Sequence, residues 1–111
     1  MKLVVTGGRE YCSISAVRSA FDNLLEKPKL VIHGGARGAD SLCEYVAHEL
    51  GIPTLCFKAD WDLHGKKAGV LRNQEMVEYK PDLLLAFPGG IGTADMKRRC
   101  AKANIPTVEI T

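Results

Sequence analysis

Residues 29–57 read KLVIHGGARGADSLCEYVAHELGIPTLCF, and this stretch decides the fold. "KLVIHGG" (29–35) is a short apolar, β-branched run that stops at glycines, the composition of a strand buried on both faces. From Ala39 onward, apolar residues fall at 39, 42, 43, 46, 47 and 50, a single stripe of an amphipathic helix. Ser41 and Glu44 offer a capping box near its start. The helix exits through Gly51-Ile52-Pro53-Thr54, where glycine tolerates the left-handed turn that closes a helix and proline forbids its continuation. "PTLCF" (53–57) is then a second strand. Strand, helix and strand in so short a span define a β-α-β unit with parallel strands and a right-handed crossover.

The same alternation extends in both directions. "KLVVT" (2–6) reads as a strand and "SISAVRSAFDNLLEK" (13–27) as a helix capped by Ser13, with its apolar stripe at 16, 17, 20, 21, 24 and 25. A polar loop at 58–67 leads to a third helix over about 68–80, and "PDLLLAF" (81–87) is the most hydrophobic strand. A fourth helix follows Thr93 and leaves through Asn104-Ile105-Pro106-Thr107, an echo of the earlier exit, into the last strand "PTVEI" (106–110). The spacing therefore predicts a three-layer α/β/α, Rossmann-like domain spanning residues 1–111. Its sheet has five parallel strands in the order 3-2-1-4-5. Ligands of such sheets sit beyond the carboxyl ends of the strands where the winding reverses, so the loops after strands 1, 2 and 4 are the places to inspect.

Composition narrows the function classes. A chain of 111 residues with 46% hydrophobic residues can bury a core without disulfides or metal. A net charge of +2, with acids and bases interspersed, gives no footprint for nucleic acid or a membrane surface. No apolar run approaches the roughly 20 residues of a membrane span, and no signal-peptide layout opens the chain, so the expectation is a cytoplasmic protein. Cys12, Cys43, Cys56 and Cys100 show no metal-type spacing. Cys43, Cys56 and Cys100 fall on apolar faces as reduced structural thiols, while Cys12, in a loop, is the one candidate for reactivity.

The three inspected loops are the three glycine clusters: "TGGRE", "HGGARGADS" and "FPGGIGTAD". They hold eight of the 11 glycines, at 7, 8, 34, 35, 38, 89, 90 and 92. Glycine lets backbone N–H groups approach a ligand without an intervening Cβ, and two of these loops run into helix N-termini that favour anions. One such loop is ordinary turn chemistry; three at one sheet edge predict a binding site. Neither a P-loop nor a G-x-G-x-x-G dinucleotide fingerprint is present. Arg9, Arg37 and Arg72 lie at this edge with forks suited to phosphate or carboxylate, whereas Arg18, Arg98 and Arg99 read as surface charges. Asp40 and Asp95 either complement a helix N-terminus or hydrogen-bond a ligand or loop group. Trp61 either stacks on a base or plugs its loop against the domain. His33 reads as packed, His48 as a surface residue, and His64 either as a general base or as an exposed loop residue.

"GGARGADS" (34–41), "ADWDLHGKKAGVLRNQEM" (59–76) and "PDLLLAFPGGIGTADM" (81–96) together resemble the YspA-like branch of the SLOG superfamily, small Rossmann-like domains related to the Lonely Guy (LOG) and Smf DNA-processing proteins. The resemblance runs over nearly the whole chain. It implies a nucleotide or nucleotide-derived ligand held between the first glycine loops and the P-G-G-x-G-T loop. Gly34, Gly35, Gly38 and Asp40 match the first signature, and Pro88, Gly89, Gly90, Gly92 and Thr93 match the last.

LOG enzymes cleave an N-glycosidic bond with an arginine in R-K-x-x-M and the glutamate of P-G-G-x-G-T-x-x-E. In "RNQEM" Arg72 matches the arginine and Asn73 stands in for the lysine, but the glutamate position is Met96, with Asp95 one residue earlier. Glycoside cleavage needs a placed carboxylate, and one residue along a helix is a rotation of about 100°. The expectation is therefore a small SLOG-type binding or sensor protein with Gly7, Gly8 and Arg9 completing the site. The alternatives are a nucleotide N-glycoside hydrolase using Arg72 with Asp95, Asp60 or Asp62, and a DNA-processing accessory role that the charge balance does not favour. No metal is implied, and the faces of the third and fourth helices are where copies of the chain would pair.

Overall fold

The computed structural model describes residues 1–111. β1 (Lys2–Thr6), β2 (Leu30–His33), β3 (Thr54–Cys56), β4 (Leu83–Ala86) and β5 (Thr107–Glu109) form one parallel sheet in the order β3-β2-β1-β4-β5, the order read from the sequence. The register places Val4 beside Ile32 on one side and Leu84 on the other, with Leu85 continuing to Val108.

Alternation along the central strands divides the core into two layers. Leu3, Val5, Val31 and Leu85 face α1 (Ile14–Asp22) and α2 (Ala39–Glu49), meeting Val17, Phe21, Cys43 and Val46. Val4, Ile32, Leu84 and Ala86 face α4 (Ala68–Glu78) and α5 (Ile91–Lys102), meeting Met76, Val77, Met96 and Cys100. Because side chains of a strand alternate with a period of two, a nearly continuous apolar run is what two covered faces require.

Both helix exits take the form the sequence predicts. Gly51 and Asn104 have φ of +71° and +62°. The N–H groups of Ile52 and Ile105 reach back to Ala47 and Cys100 carbonyls at 2.8 Å, and both isoleucines are buried. Ser13 caps α1 by accepting from the Ala16 N–H at 3.3 Å.

Four local expectations are corrected. The Ser41/Glu44 capping box does not form, because the N-cap of α2 is Gly38, three residues before Ser41. Ser41 Oγ instead donates to the Ala36 carbonyl, and Glu44 turns toward β2 and β3. α1 stops at Asp22, so Leu25 leaves the apolar stripe and is fully exposed. The 58–67 loop contains a helical turn, α3 (Trp61–His64), capped by Asp60, and a 3₁₀ turn (Gly65–Lys67). Cys56, the last residue of the edge strand β3, is exposed. No helix is long and apolar enough to cross a membrane.

Candidate functional site

β1 and β4 lie side by side at the centre of the sheet, so their loops and the loop after β2 converge beyond its carboxyl edge. The three are tied together by backbone bonds. Gly8 N–H donates to the Pro88 carbonyl at 2.9 Å, and the Ala39 N–H donates to the Gly8 carbonyl at 3.1 Å. A Cβ on Gly7 would overlap the Cβ atoms of Ala39 and Phe87, and one on Gly8 would press the Pro88–Gly89 backbone. The packing of loop on loop therefore leaves no room for a side chain at Gly7 and little at Gly8.

In the loop between β2 and α2, the backbone donors turn inward. The Asp40 carboxylate accepts from the N–H groups of Gly34 and Ala36 at 3.2 and 3.3 Å. Gly35 N–H donates to His33 Nδ1 at 3.0 Å. An accepting Nδ1 leaves the proton of a neutral ring on Nε2, which donates to Glu44 at 3.2 Å. Burial pushes the Asp40 carboxyl above its ordinary range, opposed by the two N–H donors and by the Arg72 guanidinium.

The β4–α5 loop is arranged differently. α5 begins at an N-cap glycine, Gly90, with no side-chain cap and no acid in its first turn. The N–H groups of Ile91, Gly92 and Thr93 have no protein acceptor, so the positive end of this helix is open. Gly90 and Gly92 present their Cα hydrogens to open space.

Arg72 and Asn73 of α4 together bridge the two loops. Arg72 Nη1 donates to the Gly34 carbonyl at 2.6 Å and its Nε to Asn73 Oδ1 at 3.1 Å, while Nη2 has no protein partner. A Cβ on Gly34 would meet the guanidinium, so a side chain there would push Arg72 out of this position. Buried Asn73 donates through Nδ2 to the Gly92 carbonyl at 3.2 Å and to Asp95 at 3.0 Å.

A cavity of about 460 Å³ opens between these groups, within the range of small-ligand sites. It brings together Gly7, Gly8, Arg9, Asp40, Trp61, Arg72, Asn73, Gly90, Gly92 and Thr93 from the sequence reading. Gly34, Gly35 and Arg37 line an adjoining hollow that Arg9, Trp61 and Arg72 share. Gly38, Pro88 and Gly89 border neither. Gly38, with φ of +80°, lets α2 start against the Gly8 and Arg9 carbonyls, and Gly89 packs beneath the Thr93 side chain. The sequence reading missed Lys66, Ile91 and the α4 residues Gly69 and Val70 in the first space, and Lys58 in the second. The signal was present in the two lysines: both belong to the polar loop after strand 3, at the same sheet edge.

The catalytic candidates do not gather. Asp95 lies outside the cavity, bonded to Arg99 Nε at 2.8 Å and 3.6 Å from Arg98. Burial opposes its ionisation, but Arg99, Asn73 and Arg98 outweigh that and hold its carboxyl below the ordinary range. Met96 is fully buried in the α4/α5 core layer. Asp60 caps α3, and Asp62 is exposed; neither lines the cavity or the hollow. His64 and Cys12 are exposed and away from both spaces. No group of three His, Cys, Asp or Glu residues is placed to hold a metal ion.

Fold and loops thus define a small doubly wound α/β domain whose three glycine loops interlock at the reversal of the sheet. The chain belongs to the YspA, cpYpsA-related SLOG family (YAcAr), whose model matches residues 1–64, from β1 through α3. It is also 40% identical over 117 residues to the Gene 61 protein of Mycobacterium phage D29, covering 96% of this chain and 94% of that relative. Membership supports a small nucleotide-related binding protein. The matched residues stop short of Arg72 and the P-G-G-x-G-T loop.

Proposed function

We propose that this protein binds a nucleotide or nucleotide-derived ligand in the cavity at the carboxyl edge of the sheet, as a binding or sensor domain. The observation that carries this reading is the open N-terminus of α5. Three successive N–H groups without acceptors face a cavity of about 460 Å³ that also receives Arg72. Such a terminus favours a phosphate through its N–H groups and its dipole. Gly90 and Gly92 keep the approach clear, and the apolar surfaces of Val70, Trp61 and Ile91 are suited to a base or ribose face.

The arrangement gives less support to LOG-type hydrolysis. The only carboxylate bordering the cavity is Asp40, and it is already engaged by two backbone donors. The position where the LOG pattern has glutamate is a core methionine.

Calorimetric titration with nucleoside 5′-monophosphates tests the proposal. Binding is expected for the native protein, weakened more than about tenfold in Arg72→Ala by loss of a charge-assisted contact. Circular dichroism would check that the variant is folded. Unchanged affinity in a folded Arg72→Ala protein, or no binding by the native chain, would remove the assignment.

A further inference from the structure

Sharing Arg72 with the first cavity lies the adjoining hollow, about 530 Å³, whose charged lining is Arg9, Arg37, Lys58 and Arg72. No carboxylate lines it. This is unusual within a chain whose net charge is only +2 and whose other arginines are matched. Arg18 pairs with Glu49 at 2.8 Å, and Arg98 and Arg99 share Asp95. In the hollow, Arg37 alone has an acidic partner, Glu10 at 2.7 Å, and both side chains are mostly exposed, so that pair is weak and easily exchanged. Arg9 and Lys58 form no ion pair; Arg9 lies over the Trp61 ring at 6.0 Å. Arg72 bonds only to neutral carbonyl oxygens, of Gly34 and Asn73.

Cations gathered on a concave wall repel one another and focus a positive potential that an anion relieves. The hollow is not a separate place, because Arg9, Ala36, Trp61 and Arg72 form a wall common to it and the first cavity. A single elongated ligand can therefore reach both. The backbone donors of Gly34, Gly35 and Ala36 are already engaged, so attraction here comes from side-chain charge, unlike the N–H groups at α5.

Accordingly we infer that the ligand is anionic at two separated points. One phosphate meets the N-terminus of α5, and a second meets the hollow of Arg9, Arg37, Lys58 and Arg72. The ligand class is a nucleotide whose phosphate chain extends beyond the first phosphate. It is either a nucleoside di- or triphosphate or a pyrophosphate-linked nucleotide sugar. The inference rests on reading the first cavity as a nucleotide site.

The test is a set of calorimetric titrations at low salt. The probes are the 5′-mono- and diphosphates of adenosine, guanosine, cytidine and uridine, with ATP and ADP-ribose added. The proteins are the native chain, Lys58→Ala and Arg37→Ala, both altered at exposed positions. The diphosphate of the preferred base is expected to bind at least about tenfold more tightly than its monophosphate. In Lys58→Ala that ratio should fall toward one while monophosphate affinity is retained, and Arg37→Ala should lower it partly. Whether ATP or ADP-ribose binds more tightly distinguishes a terminal phosphate chain from a pyrophosphate bridge. If a monophosphate binds but no longer ligand binds better, the hollow is not a phosphate subsite and the first-cavity reading stands. Equal loss of mono- and diphosphate affinity in Lys58→Ala has the same meaning. If no nucleotide binds, both readings fall together.

Discussion

The glycine-rich loops before α2 and α5 face the same edge of the sheet, yet the loop donors before α2 are engaged by protein groups while the donors at the start of α5 are open. At α2 the second helical residue is Asp40, whose carboxylate takes the N–H groups of Gly34 and Ala36. At α5 the second helical residue is Gly92, and the donors of the first turn have no protein acceptor. Before α2 a protein carboxylate occupies the N–H groups of the loop, whereas at α5 the N–H groups of the helix itself are free for a phosphate. Glycine in the closed loop serves contact between protein segments; at Gly90 and Gly92 in the open one it leaves room. A glycine cluster is thus not in itself an anion site. What decides is where the N–H groups are used.

The comparison breaks most severely at Gly38. Gly38→Ala forces a side chain onto a φ of +80° and against the Gly8 and Arg9 carbonyls. A stability loss of about 3 kcal/mol or more is expected in denaturant titration. Gly92→Ala, helical and facing open space, should stay within about 1 kcal/mol of the native chain. Equal losses in the two variants would erase the distinction between the loops.

Next in size is Gly92→Asp, which places an acid at the α5 position equivalent to Asp40. It should fold normally and lose roughly 30-fold in nucleotide affinity by calorimetry, about 2 kcal/mol, through repulsion of phosphate and neutralisation of the positive helix end. Retained affinity would mean that the phosphate lies elsewhere.

The two buried aspartates should respond to pH with opposite signs. Asp95 has a folded pKa below its ordinary value of 3.8, so its contribution is present above that value and lost as pH falls through the folded pKa. Asp95→Asn should cost about 1 kcal/mol near neutrality, with the difference from the native chain shrinking below pH 4 (about the ordinary value) in acid denaturation. Asp40 has a raised folded pKa, so its ionisation removes stability as pH rises from 3.8 through that value. A gap between native and Asp40→Asn that moves in the same direction as the Asp95 gap would contradict the assigned environments.

The smallest expected effect is spectroscopic. Trp61 is the only tryptophan, half exposed beside Arg9 at the wall shared by the two spaces. Ligand binding should shift or quench its emission, and Trp61→Ala should weaken binding by only about threefold to tenfold. An unchanged spectrum at saturation would place the ligand away from this wall.

Much of this was legible in the chain. Strand order, helix exits at Gly51 and Asn104, and the placement of the three loops followed from periodicity and turn chemistry, which are local properties. The helical turn at Trp61–His64 was not legible, since four residues carry no periodicity. Nor was the role of Asn73: the sequence showed only a lysine position filled by an amide. The fold shows a side chain that links Arg72, Gly92 and Asp95.

The sequence by itself determined a doubly wound parallel sheet and the loops at its edge, because apolar spacing and glycine–proline punctuation act over a few residues. Only the tertiary structure decided which glycines are packing contacts and which leave a helix end open. That depends on whether a carboxylate such as Asp40 comes within hydrogen-bond reach of the loop N–H groups, and a neighbouring carbonyl such as that of Gly8 within reach of a helix's first N–H. Such reach is fixed by the packing of segments that are far apart in the chain.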